Sequence, residues 1–347
     1  MSPYSIRQVV KAKKRTPHYV RTAAAALSLV AVAILAVAGI SITAARTLMS
    51  IPPKPLGSYS STVMPAYSLA GFRSLDGQTA LSGWLFQPDG ESRGTVVMVH
   101  SNGANRLQFD ADTLTLYEFF TSRGYGVLSF DLRHSGESEG QFCTYGYNEW
   151  EDVVAALDYA WRNSINDNLL LFGWGTGCAS SLLAIDRIPT SGTDRTAMLP
   201  GDDSDKAKQL RELPFDREDI LALFLDGAAA SPDAYIRADL SDGILDRLLR
   251  KTTVPLAIRL SSQVSGETRL IPILSRAQMP VMLIGKGGPD DSAAAGAEVM
   301  KEERLRLHPD NTMVYQPEKT AFLTAFSEDP DAYVTRIGDF LDRYLDR

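Results

Sequence analysis

The chain has 347 residues, of which 44% are hydrophobic and 22% charged; this excludes a disordered polypeptide and suffices for one large α/β domain or two smaller ones. The formal net charge of −7 is unevenly spread, because residues 1–21 hold six cations and no acid, leaving −13 on residues 22–347. So acidic a body argues against nucleic acid as a partner, since phosphate binding needs a basic face.

The basic tail (Arg7, Lys11, Lys13, Lys14, Arg15 and Arg21) is followed by Thr22–Ala45, a stretch of 24 residues without charge and rich in Ala, Val, Leu and Ile. A helix needs roughly 20 apolar residues to cross the hydrocarbon core, so a single-pass transmembrane helix is predicted over 22–45, with the membrane as a partner. The cation excess before the span, against Arg46 and Lys54 after it, predicts a cytoplasmic N-terminus and an extracytoplasmic body on the cell membrane. A secretory signal has a shorter apolar stretch, but Ala36-Val37-Ala38 imitates a cleavage site, so a cleaved signal is the alternative. Residues 46–65, with Pro52, Pro53, Pro55, Ser58, Ser60 and Ser61, read as a Pro/Ser-rich stalk.

Beyond the stalk, residues 66–347 read as one domain. Strands are expected at Ser68–Arg73, Leu81–Gln87, Thr95–Val99, Gly126–Phe130, Leu169–Phe172, Ile220–Leu225, Val281–Ile284 and Thr312–Tyr315. The first two are joined by Asp76-Gly77, a hairpin signal. Helical spacing marks Leu114–Arg123, Glu149–Trp161, Ser180–Ile188, Ala295–Leu305 and Ala332–Tyr344. Short apolar strands alternating with helices imply an α/β fold with a mostly parallel, roughly eight-stranded sheet covered on both faces. Thr190–Asp219 breaks the rhythm with Gly192, Pro200, Gly201, Asp202, Asp203, Asp205 and Pro214, and is expected to be an acidic surface loop. The two cysteines, Cys143 and Cys178, fit either a bridge or two separate buried thiols. No Cys/His cluster has metal-ligand spacing, so neither a metal nor another cofactor is expected.

Four stretches carry chemistry. Val96-Val97-Met98-Val99-His100-Ser101-Asn102-Gly103 is similar to a strand followed by an HGxG turn. Asp131-Leu132-Arg133-His134-Ser135-Gly136-Glu137-Ser138 resembles a D-x-R-G-x-G-x-S loop, and Thr144–Ala156 the helix that follows it. Gly173-Trp174-Gly175-Thr176-Gly177 has the frame of a nucleophile elbow, G-x-S-x-G, with glycine at the serine position. In this order and spacing they resemble the α/β-hydrolase superfamily, specifically its membrane-anchored bacterial and BEM46-like branch. The resemblance implies the α/β-hydrolase fold behind the N-terminal helix. It also implies that the backbone N–H groups of Asn102 and Thr176 face an oxyanion, with His100, Ser101, His134, Ser135 and Trp174 as candidates to line the pocket.

The same resemblance implies three triad positions, and each lacks its usual side chain. Gly175 has no nucleophile. The loop after the last strand, Gln316–Leu323, has no histidine, and Thr320 is the best match for the base. The acid position falls on Pro289, or on Asp290 with a one-residue shift. His308 precedes the last strand. Cys178 lies one helical turn past the bend, and no histidine partner for it or for Ser135 is evident. The expected function is therefore binding of a small-molecule or protein ligand by a membrane-tethered hydrolase relative without a working triad. The competing expectation is an exported esterase or lipase-like enzyme with an unusual nucleophile.

Overall fold

A computed structural model describes residues 18–57, 64–241, 243–244, 249–318 and 320–345; most of the basic tail and the Ser-rich part of the stalk (residues 58–63) lie outside the described residues. The N-terminal helix α1 spans His18–Met49. It is 32 residues long and apolar enough to cross a membrane by length and composition, and at 1.5 Å per residue it measures about 48 Å. It outruns the expected 22–45 because no proline interrupts it before Pro52-Pro53. Only Ser41, Ala45 and Met49 are buried, all near its C-terminal end.

Eight strands follow: β1 (Tyr67–Arg73), β2 (Ala80–Phe86), β3 (Gly94–Val99), β4 (Tyr125–Phe130), β5 (Leu169–Trp174), β6 (Ile220–Asp226), β7 (Val281–Ile284) and β8 (Thr312–Tyr315). They form one sheet in the order β1-β2-β4-β3-β5-β6-β7-β8, with β2 antiparallel to both neighbours and the rest parallel. All residues of β3, β4 and β5 are buried, as expected of parallel strands covered on both faces. Their alternation builds two cores. Val97, Val99, Leu169, Leu171, Leu223 and Leu225 join one; Val96, Met98, Leu170, Phe172, Ala222 and Phe224 join the other.

Helices α2 (Thr113–Ser122) and α3 (Trp150–Asn163) fall where the periodicity places them, and α4 (Thr176–Arg187) begins at the bend after β5. The segment expected as an acidic loop contains a further helix, α5 (Asp205–Arg211), whose N-cap Ser204 accepts from the Ala207 N–H. The segment is pinned to the body through Lys206 on Glu151, and Arg195 bonds Asp216 at 2.6 Å. Between β6 and β7 lie three short helices that the sequence pattern did not mark, α6 (Pro232–Ala238), α7 (Lys251–Ser261) and α8 (Ile271–Arg276). The chain ends with α9 (Asp291–Leu307), α10 (Ala325–Glu328) and α11 (Pro330–Tyr344).

The described part of the expected stalk is not free of the body. Met49 closes α1, and Asn105 Nδ2 donates to the carbonyls of Lys54 and Pro55 at 3.1 and 3.3 Å. Lys54 pairs with Asp110 at 2.6 Å, and Leu56 packs against the second core.

Candidate functional site

The bend after β5 is formed by Gly175, at φ 51° and ψ −117°, a backbone region that strains any residue with a Cβ. Its N–H donates to the Asp226 carbonyl at 2.8 Å, and its own carbonyl accepts from the Cys178 N–H at 2.9 Å. Gly177 allows α4 to approach β3, since a Cβ there would overlap the Val99 carbonyl oxygen. The elbow geometry expected from the sequence is therefore present, with no side chain at its apex.

Other side chains occupy the space above that apex. A Cβ on Gly175 would overlap the Ser101 hydroxyl and stand 3.1 Å from Ser101 Cβ and 3.2 Å from Leu323 Cδ1. The two N–H groups assigned to an oxyanion are already engaged. Asn102 N–H donates to Thr176 Oγ1 at 2.7 Å, and Thr176 N–H reaches Ser101 Oγ at 3.4 Å. Two hydroxyls thus stand in the notch where a reacting oxygen would be received.

A pocket of about 240 Å³ opens over the bend, below the usual 300–1,000 Å³ of small-molecule sites. Ser101, Asn102, Thr176 and Leu323 line it near the bend; Lys54, Tyr145, Asp239 and Pro289 line it farther out. Tyr145 donates to Asp239 at 2.7 Å, and burial raises the Asp239 carboxyl above its ordinary range. No histidine lines this pocket among the described residues.

The histidines serve the scaffold. His100 is buried; its Nδ1 pairs with the Ser101 carbonyl at 2.8 Å and its Nε2 accepts from the Leu132 N–H at 2.9 Å. Burial lowers its affinity for a proton, so the ring is neutral with both nitrogens used. His134 faces the Gly140 carbonyl at 3.3 Å, and His308 the Ser275 carbonyl at 2.8 Å at the end of α9.

Several expected site residues have other roles. Trp174 is not a pocket residue: it is buried in the second core, stacked on Phe172 at 4.3 Å, because the strand's alternation turns it away from the bend. Ser135 does not line the pocket; it is buried beside the Arg133 carbonyl. Asp290 is the N-cap of α9, accepting from the Ala293 N–H at 2.7 Å. Thr320 donates to the Pro317 carbonyl at 3.0 Å, and Leu323, at φ 59°, is the residue of that loop that meets Gly175. Cys143 and Cys178 are separate buried thiols. Burial pushes both thiols up, so neither is a ready nucleophile.

One carboxyl group behind the bend escaped sequence reasoning. Asp226 closes β6, is fully buried, and accepts from Tyr333 at 2.8 Å, while Trp174 Nε1 donates to the same Tyr333 oxygen at 3.2 Å. Its Oδ1 has no partner among the described residues, and burial raises its pKa to about 7. Nothing in the apolar run Ile220–Leu225 hints at this, because the partner lies on α11.

The loops around the site are braced by buried ion pairs. Asp131 takes the Arg106 guanidinium at 2.6 Å together with the Arg106 and Glu137 N–H groups. Arg133 lies between Asp152 at 2.7 Å and Glu151 at 3.1 Å. Glu149 accepts from the Gly146 N–H and the Thr144 hydroxyl at 2.7 and 2.9 Å.

Strand order, bend and flanking loops together define an α/β-hydrolase fold. Solved structures with this fold include the Pyrococcus furiosus esterase Pf2001, at TM-score 0.60 and 18% identity over 85% of this chain and 99% of that one. The α/β hydrolase GrgF from Penicillium sp. sh18 aligns at TM-score 0.51 and 16% identity, over 81% of this chain and 100% of that one. Mouse alpha/beta hydrolase domain-containing protein 10 aligns at TM-score 0.51 and 17% identity, over 80% and 99% respectively. At such identities the likeness establishes the fold and leaves the activity open. No family model matches the sequence, and no curated protein does.

Proposed function

We propose that this chain is a membrane-tethered, non-catalytic relative of the α/β-hydrolases, of the membrane-anchored bacterial and BEM46-like kind, which acts by binding. In this reading α1 anchors it in the cell membrane, the basic tail is cytoplasmic and the body is extracytoplasmic. Residues 66–347 form the binding domain, and the pocket over Gly175 receives a small polar ligand or a short protein segment between Lys54 and Asp239. The observation that carries the reading is the Ser101 hydroxyl, which occupies the space a nucleophile on residue 175 would need. The engaged N–H groups of Asn102 and Thr176 and the lack of imidazole in the pocket support it.

The test is labelling of the purified full chain in detergent micelles with a serine-reactive fluorophosphonate. The expected result is no labelling above that of the heat-denatured protein and no turnover of p-nitrophenyl esters. A second reading, an exported esterase with an unusual nucleophile, draws on the same hydroxyl, because Ser101 faces the pocket. Labelling that disappears in Ser101→Ala would establish that reading and overturn the first.

A further inference from the structure

The segment between β6 and β7 carries a feature that the pocket does not use. Helix α7 lies along the C-terminal part of α1, joined to it by a hydrogen bond of 2.6 Å between Ser41 Oγ and Thr253 Oγ1. Its faces divide cleanly. Val254, Pro255 and Ile258 are buried in the body. Thr253 and Ala257, one turn apart, face α1 across a groove. Leu256 and Leu260, again one turn apart, form the outer edge of the same groove and are 41% and 64% exposed.

The groove measures about 900 Å³ and is lined by Val30, Ile34 and Val37 of α1 and by Leu256, Ala257 and Leu260 of α7. Its wall is mostly hydrocarbon. Arg46 also lines it, and that side chain has no ion-pair or hydrogen-bond partner among the described residues.

Depth follows from the anchor. Arg46 is the first charge after the uncharged run, and Ser41 precedes it by five residues, about 7.5 Å of helix at 1.5 Å per residue. Thr253 is bonded to Ser41, so α7 meets α1 below the level of Arg46, on the hydrocarbon side. That depth matches the roughly 5–10 Å to which interfacial helices bury their apolar face. Two exposed leucines are costly in water and favourable at this depth.

We propose that α7 lies in the membrane interface beside α1, and that the groove between them holds an acyl chain of an anionic bilayer lipid whose phosphate is received by Arg46. The bilayer is the source because the groove's α1 wall continues without a break into the apolar surface that crosses it. This rests on the reading of α1 as a membrane anchor.

The full chain is reconstituted into vesicles of phosphatidylcholine and phosphatidylglycerol with brominated acyl chains, which quench tryptophan on contact. Tryptophan is placed by Leu35→Trp in α1, by Leu256→Trp and Leu260→Trp in α7, and by Leu307→Trp at the end of α9 as an aqueous control; all four side chains are exposed. Quenching of the two α7 variants to within about twofold of Leu35→Trp, with Leu307→Trp unquenched, is the expected result. Quenching of Leu35→Trp without that of either α7 variant overturns the proposal and leaves the anchor intact. Absence of quenching at Leu35→Trp removes the anchor reading and the proposal with it. Lipid retained after detergent extraction should favour phosphatidylglycerol, and Arg46→Gln should lower that preference about fivefold. Unchanged preference in Arg46→Gln overturns the assignment of the phosphate.

Discussion

Gly175→Ser restores the hydroxyl that the elbow lacks, and its consequences follow from two features of the bend. At φ 51° and ψ −117°, a residue with a Cβ carries a backbone strain of about 1–3 kcal/mol. The new Cβ also meets Ser101 and Leu323 Cδ1. The Ser101 hydroxyl can rotate aside but its Cβ cannot, so crowding adds about 1 kcal/mol, the low end for an overpacked site. A total loss of about 2–4 kcal/mol is expected, read as a lower urea midpoint for the purified full chain in detergent. Adding Ser101→Gly removes the crowding and leaves the backbone strain, so the double variant should regain about 1 kcal/mol. Neither variant should hydrolyse p-nitrophenyl acetate, because a serine with no base within reach remains protonated and weakly nucleophilic. Robust turnover by Gly175→Ser would refute the reasoning about the missing base. An unchanged urea midpoint, with no coupling to Ser101, would refute the reasoning about the filled apex.

Asp226 holds a proton in the folded chain up to about pH 7, whereas its ordinary value is 3.8. Between those values the folded state binds more protons than the unfolded state, so this group's contribution to stability falls as pH rises through the window and is level above it. Asp226→Asn should flatten that slope, a difference of up to about 4 kcal/mol between pH 4 and pH 8, measured by urea midpoints across the range; an unaltered slope would show that the carboxyl is solvated. Arg106→Ala should cost about 3–5 kcal/mol by leaving the buried Asp131 carboxylate without its cation, seen as a drop in unfolding midpoint with unchanged secondary structure; a loss under 1 kcal/mol would mean that the pair is relieved by water. Cys143 and Cys178 should resist iodoacetamide in the folded chain and react on unfolding, counted by mass spectrometry; rapid alkylation of the native protein would contradict their burial.

The central strands were legible because parallel strands buried on both faces must be apolar throughout, as in Leu169–Phe172; the antiparallel pair β1 and β2 was marked instead by its Asp76-Gly77 turn. The elbow was legible because its glycines answer to backbone geometry. Helices α6, α7 and α8 were not: they are short, Pro255 and Pro272 interrupt their pattern, and two of them draw their order from packing on other elements. The loop expectation for Thr190–Asp219 failed at α5 for a related reason, since acidic composition does not reveal that Lys206 reaches Glu151. At the site, the frame of the bend was legible and the contacts around it were not. Thr320 is the best sequence match for the base position, but the turn after β8 carries Leu323 to the bend instead. Asp226 closes an apolar strand, and only the fold brings Tyr333 to it.

The four motifs that led to the fold report on its mechanics more than on its chemistry. Asp131 and Arg133 each hold a buried charge network that fixes loops distant in sequence, and Gly177 holds α4 close to β3. Changing any of them leaves an unpaired buried charge or a steric overlap, so the cost falls on folding. Gly175, Pro289 and Leu323, at or beside the pocket, carry no charge and take no part in those networks. That separation explains how hydrolase-like loops coexist with a bend that lacks a nucleophile. It also locates the experiment that matters for function at Ser101, where the two readings assign opposite roles to one hydroxyl.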